Sequence, residues 1–162
     1  MLARLSRLLM ERRFRLATAE SCTGGMIAAR LTDRPGSSDW FDRAYITYSN
    51  QAKQAMLGVP VELFEQHGAV SEPVVRAMVG GVFLHSPLDA ALAVSGIAGP
   101  GGGSEDKPVG TVWFAWGLRV GADGRELVDT ACRRFYGNRD MVREQALAFA
   151  LAGMIRLLEA DG

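Results

Sequence analysis

Lysine is almost missing from this sequence. Only Lys53 and Lys107 are present among eighteen basic side chains, the rest being arginine. Chemistry that needs an amine able to give up its proton has two residues to choose from, because arginine stays charged. Histidine is equally scarce, with His67 and His85 alone. Both fall at expected helix ends or loops, and no aspartate is marked as an orienting partner, so a Ser-His-Asp triad is disfavoured. The two cysteines, Cys22 and Cys132, lie in different expected elements. They lack metal-ligand spacing, which argues against a structural zinc site and suits free thiols in a reducing cytoplasm. The formal net charge of zero gives no electrostatic footprint for nucleic acid or an anionic membrane and leaves a small molecule as the fitting partner. Long hydrophobic runs are also lacking: Arg4 and Arg7 interrupt the apolar residues of the amino terminus, so no signal-peptide or membrane-spanning segment is expected.

At 162 residues the chain is expected to be one domain with a single core. Leu2, Leu5, Leu8 and Leu9 recur at helical spacing and predict an amphipathic first helix. A short apolar run from Leu16 to Ala19 reads as a buried strand, followed by a helix from Met26 to about Thr32. A loop at 33–38 then leads to a β-branched and aromatic run, Ala44–Tyr48, read as a second strand. Ser49 and Asn50 are good caps for a helix Gln51–Leu57, and Gly58 and Pro60 separate it from a short helix Val61–His67. Ser71 is expected to cap a longer helix from Val74 to about Leu84. Leu88–Ser95 reads as a central strand covered on both faces, Gly110–Trp116 and Glu126–Arg133 as a hairpin, and Arg139 to about Leu158 as a last helix capped by Asn138. The expected fold is α/β, a three-layer α/β/α sandwich with a mixed sheet.

Two stretches carry the chemical signal. The first is Glu20-Ser21-Cys22-Thr23-Gly24-Gly25, the turn between the first strand and its helix, where open α/β sheets place ligands. Hydroxyls at Ser21 and Thr23 and the bare backbone at Gly24 and Gly25 suit a capped helix start whose N–H groups face an anion or a developing oxyanion. An ordinary serine cap would give the same pattern. The second is Ser95-Gly96-Ile97-Ala98-Gly99-Pro100-Gly101-Gly102-Gly103. The next regular element after it is a strand, so the dinucleotide fingerprint fails, and no Gly-Lys-Ser/Thr follows to make a P-loop. A side-chain-poor loop beside Ser95 remains, able to contact a ligand or simply to connect.

Ser21 needs a base if it is a nucleophile, and lysine serves when burial keeps it neutral. Lys53 sits one turn into the helix after the second strand. If the two strands are parallel neighbours, Ser21 and Lys53 emerge at one sheet edge, and the helix N-terminus favours the neutral amine. Tyr48 is placed to hold the lysine or relay a proton. Lys107, in the glycine loop, is the poorer candidate, and Cys22 is the alternative nucleophile. Equally open at this level are a solvated Lys53 and a Tyr48 that only packs.

Ala19-Glu20-Ser21-Cys22-Thr23-Gly24-Gly25, Tyr48-Ser49-Asn50 with Lys53, Gly68-Ala69-Val70-Ser71, Ser95-Gly96-Ile97-Ala98-Gly99-Pro100, Lys107-Pro108-Val109-Gly110-Thr111-Val112, and Arg139 with Arg143 together resemble the CinA C-terminal domain family. That family includes the nicotinamide mononucleotide amidohydrolases. The matches run in order along nearly the whole chain, in what resembles the stand-alone form. The resemblance implies an α/β/α fold, usually as a homo-oligomer, and hydrolysis of nicotinamide mononucleotide to nicotinate mononucleotide and ammonia, in pyridine nucleotide recycling. It implies Ser21 as nucleophile, Lys53 as base and Tyr48 as third member. Cys22, Thr23, Gly24, Gly25, Ser95, Gly96, Gly99, Gly101 and Arg139 are then expected to bind substrate, with Arg139 on its phosphate and no cofactor or metal involved. Two other readings stand beside it: a non-catalytic nucleotide-binding regulatory module linked to competence or DNA damage, and an amidase for a different amide.

Overall fold

The chain threads a five-stranded sheet in the order β2-β1-β3-β4-β5. The computed structural model describes residues 1–161. Helix α1 (Leu2–Arg12) leads into β1 (Leu16–Glu20), α2 (Met26–Thr32), a 3-10 turn (Ser37–Asp39) and β2 (Phe41–Ile46). Three helices follow, α3 (Asn50–Leu57), α4 (Val61–His67) and α5 (Glu72–His85). The chain then returns through β3 (Ala90–Gly96), β4 (Thr111–Val120) and β5 (Arg125–Arg134) to α6 (Arg139–Ala160). β1 pairs parallel with both β2 and β3, while β3-β4 and β4-β5 are antiparallel, so the sheet is mixed as expected.

Side-chain size alternates across the sheet and decides which helices lie on which face. Leu16, Leu92, Val94, Phe114 and Trp116 pack with α1, α2 and α6 in one core. Ala17, Ala19, Ala91, Ala93 and Ala115 form the other face, against α3 and α5. The small residues let α5 approach closely. At Gly117 an added Cβ would lie 2.5 Å from Val79 of that helix, so a larger residue would push it off the sheet. On the opposite face Trp116 donates from Nε1 to the Ala150 carbonyl at 2.8 Å and stacks on Phe114 at 5.7 Å, fixing α6. Each large side chain buried there is worth about 1.5–3 kcal/mol, so both helical layers are held by burial rather than by their own propensity.

Most element boundaries fall within a few residues of the sequence reading. The hairpin strands β4 and β5 are longer, ten residues each. The second strand is the main correction. β2 begins at Phe41 and ends at Ile46, which leaves Thr47 and Tyr48 beyond it. The Thr47 amide still bonds to the Glu20 carbonyl at 2.9 Å, but Ser49 then turns the chain by accepting from the Ala52 amide at 3.0 Å and starting α3. Ser71 precedes α5 as expected yet makes no side-chain cap, because its hydroxyl donates to the Gly68 carbonyl at 2.8 Å.

Candidate active site

Parallel pairing of β1 with β2 brings Ser21 and the start of α3 to the same edge of the sheet. There the Nζ of Lys53 lies 3.0 Å from Ser21 Oγ and donates to the Thr47 carbonyl at 2.9 Å. The lysine is only 1% exposed, and this burial lowers its pKa to about 8, with the nearby Cys22 acting in the opposite sense. A lysine so placed gives up its proton more readily than an exposed one. In the neutral state one N–H donates to Thr47 and the nitrogen lone pair is free to accept the hydroxyl proton of Ser21, an arrangement able to activate a serine as a nucleophile.

The pair opens into a cleft of about 310 Å³ lined by Ser21, Cys22, Lys53 and Tyr48, with Ser95, Gly96, Gly99, Gly101 and Arg139 on the remaining walls. Every one of these was singled out from sequence. Gly96 is small for a reason: an added Cβ would sit 2.7 Å from Val112 and 3.0 Å from the Cys22 sulfur. Ser95 is buried and donates to the Ala69 carbonyl at 2.8 Å, which ties the end of β3 to the loop before α5. Asn50, Ala69, Val70 and Ile97 also reach the cleft. Sequence reasoning missed them as site residues, although Asn50 stands in the Tyr48-Ser49-Asn50 motif and Ala69 and Val70 in the Gly68–Ser71 one.

Thr23, Gly24 and Gly25 are placed elsewhere. They do not line the cleft, and the start of α2 is occupied by the buried carboxylate of Glu20. That carboxylate accepts from the Thr23 hydroxyl at 2.8 Å and from the amides of Gly25, Ile27 and Ala28 at 3.0, 3.1 and 2.8 Å. The Thr18 hydroxyl adds a fifth hydrogen bond at 3.2 Å. An internal anion therefore takes the helix dipole that the sequence reading offered to a ligand. Neither Ser21 nor Thr23 caps α2: Gly25 holds the N-cap position at φ +97°, a left-handed conformation that suits glycine. The turn is fixed from its other side by Arg143, which donates to the carbonyls of Cys22 at 3.0 Å and Thr23 at 3.2 Å.

The remaining candidates separate in the same way. Tyr48 is 59% exposed at the mouth of the cleft, and its hydroxyl accepts from Arg139 at 2.8 Å rather than meeting Lys53. Arg139 also donates to the Gly99 carbonyl at 2.7 Å, so its guanidinium joins the Tyr48 loop to the glycine loop. Lys107 does not line the cleft, and its Nζ donates to the His67 carbonyl. Burial pushes the Cys22 thiol up to about 11, which leaves it protonated and a poor nucleophile near neutral pH. Among the described residues no group of three or more histidine, cysteine, aspartate or glutamate side chains could hold a metal ion, and no helix is long and apolar enough to cross a membrane.

Fold and site together define a three-layer α/β/α domain in which a serine and a lysine converge at the carboxyl ends of neighbouring parallel strands. The chain belongs to the CinA C-terminal domain family, whose profile matches residues 1–158. It is 55% identical over 138 residues to the nicotinamide-nucleotide amidohydrolase PncC of Enterobacter agglomerans, covering 85% of this chain and 81% of that protein. It is 52% identical over 157 residues to a protein of Symbiobacterium thermophilum described as competence-damage inducible, covering 95% of this chain but 37% of that longer relative. A crystal structure of a CinA superfamily protein from Klebsiella pneumoniae superposes with a TM-score of 0.90 at 40% identity, covering 98% of this chain and 96% of that one.

Proposed function

We propose that the chain is an amidohydrolase that cleaves the carboxamide of nicotinamide mononucleotide through a Ser21 acyl-enzyme, with Lys53 as the general base. The observation that carries the reading is the 3.0 Å contact between Ser21 Oγ and the buried Nζ of Lys53. The likeness to PncC of Enterobacter agglomerans, named a nicotinamide-nucleotide amidohydrolase, supports the substrate.

In this mechanism the Oγ of Ser21 attacks the carboxamide carbon as its proton passes to Lys53. Lys53 then gives that proton to the nitrogen, the carbon–nitrogen bond breaks, and ammonia leaves an ester on Ser21. Water loses a proton to Lys53 and attacks the ester, and Ser21 leaves with the proton returned, giving nicotinate mononucleotide. The net reaction consumes one water and releases one ammonia, so no cofactor is required. The amide of Cys22 is the donor for the oxyanion, since Gly24 and Met26 bond to the Ser21 and Thr23 carbonyls, Gly25 bonds to Glu20, and Thr23 does not line the cleft whereas Cys22 does. Arg139, with N–H groups beyond the two used on Gly99 and Tyr48, takes the substrate phosphate. Tyr48 then serves at the mouth, orienting Arg139, rather than as a relay to Lys53.

The product would re-enter pyridine nucleotide synthesis, which is the recycling role the family resemblance implied, in a cytoplasmic homo-oligomer. Ammonia release from nicotinamide mononucleotide by the purified chain, beside Ser21→Ala and Lys53→Ala, tests the reading. Activity lost in both variants supports it. Binding without turnover in the parent would move the assignment to a regulatory module, and release of ammonia from a different amide alone would move the substrate.

A further inference from the structure

One buried side-chain atom among the described residues has no hydrogen-bond partner, the hydroxyl oxygen of Thr47. Buried orphans of this kind are rare and cost stability, so each needs an explanation. Thr47 is fully buried, and it is the residue whose carbonyl holds the base. Lys53 Nζ, in turn, has two protein partners, Ser21 Oγ and the Thr47 carbonyl. A neutral amine has two N–H bonds and one lone pair, so with the lone pair on Ser21 and one N–H on the Thr47 carbonyl its second N–H is an uncharged donor without a partner. An ammonium has three N–H bonds. During acyl transfer Lys53 is charged: one proton stays on the Thr47 carbonyl, the proton taken from Ser21 is directed to the leaving nitrogen, and the third lacks an acceptor.

We propose that Thr47 is a positioning residue for the base, its hydroxyl accepting the third proton of Lys53 while the amine is charged. Hydroxyl and carbonyl belong to one residue, so a change of staggered rotamer at Thr47 redirects the oxygen without moving the backbone. The resting enzyme leaves the hydroxyl unpaired, and the charged intermediate pairs it. The bond is charge-assisted only once Lys53 is protonated, so it stabilises the charged state more than the neutral one, the condition for a rate effect. The role rests on the Ser21-Lys53 mechanism. Cys22 of the β1–α2 turn faces Lys53, Glu20 of β1 and Arg143 of α6 act on Cys22 from behind it, and Tyr48 and Arg139 share the cleft, all of which the test leaves in place.

The test is the pH profile of ammonia release from nicotinamide mononucleotide by Thr47→Val and Thr47→Ser, with Lys53→Ala and Ser21→Ala run in parallel. In Thr47→Val, kcat is expected to fall about tenfold with KM nearly unchanged, and the acidic limb of kcat/KM to move down by about one pH unit, as loss of a hydrogen bond to a charged group dictates. Thr47→Ser is expected to restore both. The valine variant should melt no lower than the parent, because it removes a buried unpaired hydroxyl, and Thr47→Ala gives the same kinetic readout if valine does not fold. A parental kcat and parental acidic limb in Thr47→Val, with Lys53→Ala inactive, overturns the role of Thr47 alone. Activity that survives Lys53→Ala or Ser21→Ala overturns the mechanism beneath it.

Discussion

Glu20 and Ser21 are adjacent in sequence and face opposite ways at the end of β1. The Glu20 carboxylate lies buried under the first turn of α2, accepting five hydrogen bonds, while the Ser21 hydroxyl meets Lys53 in the cleft. The period-two alternation of a strand, continued for one residue past its end, sends one side chain under the turn and the other into the cleft.

Glu20→Gln should show how much the turn depends on that anion. An amide presents one acceptor oxygen, and its NH2 group would face N–H groups that now donate to the second carboxylate oxygen. The variant is expected to lose about 2–3 kcal/mol of stability, the cost of disrupting hydrogen bonds to a buried charged group, and to lose activity below its melting point as Ser21 shifts. Urea unfolding at pH 7, with circular dichroism at a temperature where the variant remains folded, separates the two effects. A variant as stable and as active as the parent would show that the carboxylate is dispensable.

The state of Lys53 sets the pH dependence of activity. In the proposed mechanism Lys53 must be neutral to accept the Ser21 proton, and burial lowers its pKa to about 8. The parent's kcat/KM is therefore expected to rise with pH through about 8 and then level off. Lys53→Arg, whose guanidinium stays charged, should be inactive throughout. A profile already flat from pH 6 upward would mean that Lys53 is neutral well below this value or is not the base.

Stability should respond to the same residue with a definite sign. In the unfolded chain lysine titrates near about 10.4, above the folded value, so the unfolded state binds more protons between roughly pH 8 and pH 10. Burying the amine is most costly below pH 8, and the cost fades as pH rises through this window. Lys53→Met, which fills a similar volume without charge, is thus expected to raise Tm at pH 7 and to raise it less at pH 10. An advantage that does not vary with pH would show that the folded and unfolded pKa values coincide.

How far this site was legible in the sequence follows from the physics of each element. Ser21 and Lys53 could be singled out because the chain has so few lysines and because a strand–turn–helix places both at one sheet edge, a rule of topology rather than of contacts. Ser95 and the glycines around it were visible as a strand running into a loop with no helix after it. Glu20 was not singled out. A glutamate six residues ahead of a helix looks like a surface charge, and only the fold of the turn carries its oxygens under the amides of Gly25, Ile27 and Ala28. Tyr48 was misplaced for a related reason: its β-branched and aromatic neighbours argue for continuing β2, whereas the Ser49 cap ends the strand early. Hydrogen bonds made by the loops decided both cases, and strand periodicity does not encode them.

Cys22 gives a prediction of tolerance. It lines the cleft beside Ser21, but burial holds its pKa at about 11 and leaves almost no thiolate at neutral pH. Cys22→Ala is expected to retain activity within a few-fold of the parent, and alkylating reagents at pH 7 should leave Cys22 unmodified in the folded chain. Activity abolished in Cys22→Ala while Ser21→Ala still turns over would exchange the two roles.

Arg139 tests where the phosphate goes. Its guanidinium spends two N–H groups on the Gly99 carbonyl and the Tyr48 hydroxyl, which holds it at the mouth with donors to spare. An arginine contact with a phosphate is a charge-assisted, often bidentate interaction worth about 1.5–3 kcal/mol, which corresponds to a tenfold to hundredfold change in affinity. Arg139→Ala is therefore expected to raise KM for nicotinamide mononucleotide by at least about tenfold. The same variant should change KM for nicotinamide riboside, which lacks the phosphate, far less. The two substrates must be compared because Arg139 also holds the Tyr48 and glycine loops together: purely structural damage would weaken both equally, whereas loss of a phosphate contact penalises only the one that carries it. Equal losses on both substrates would take the phosphate away from Arg139 and leave it as a bridge between the two loops.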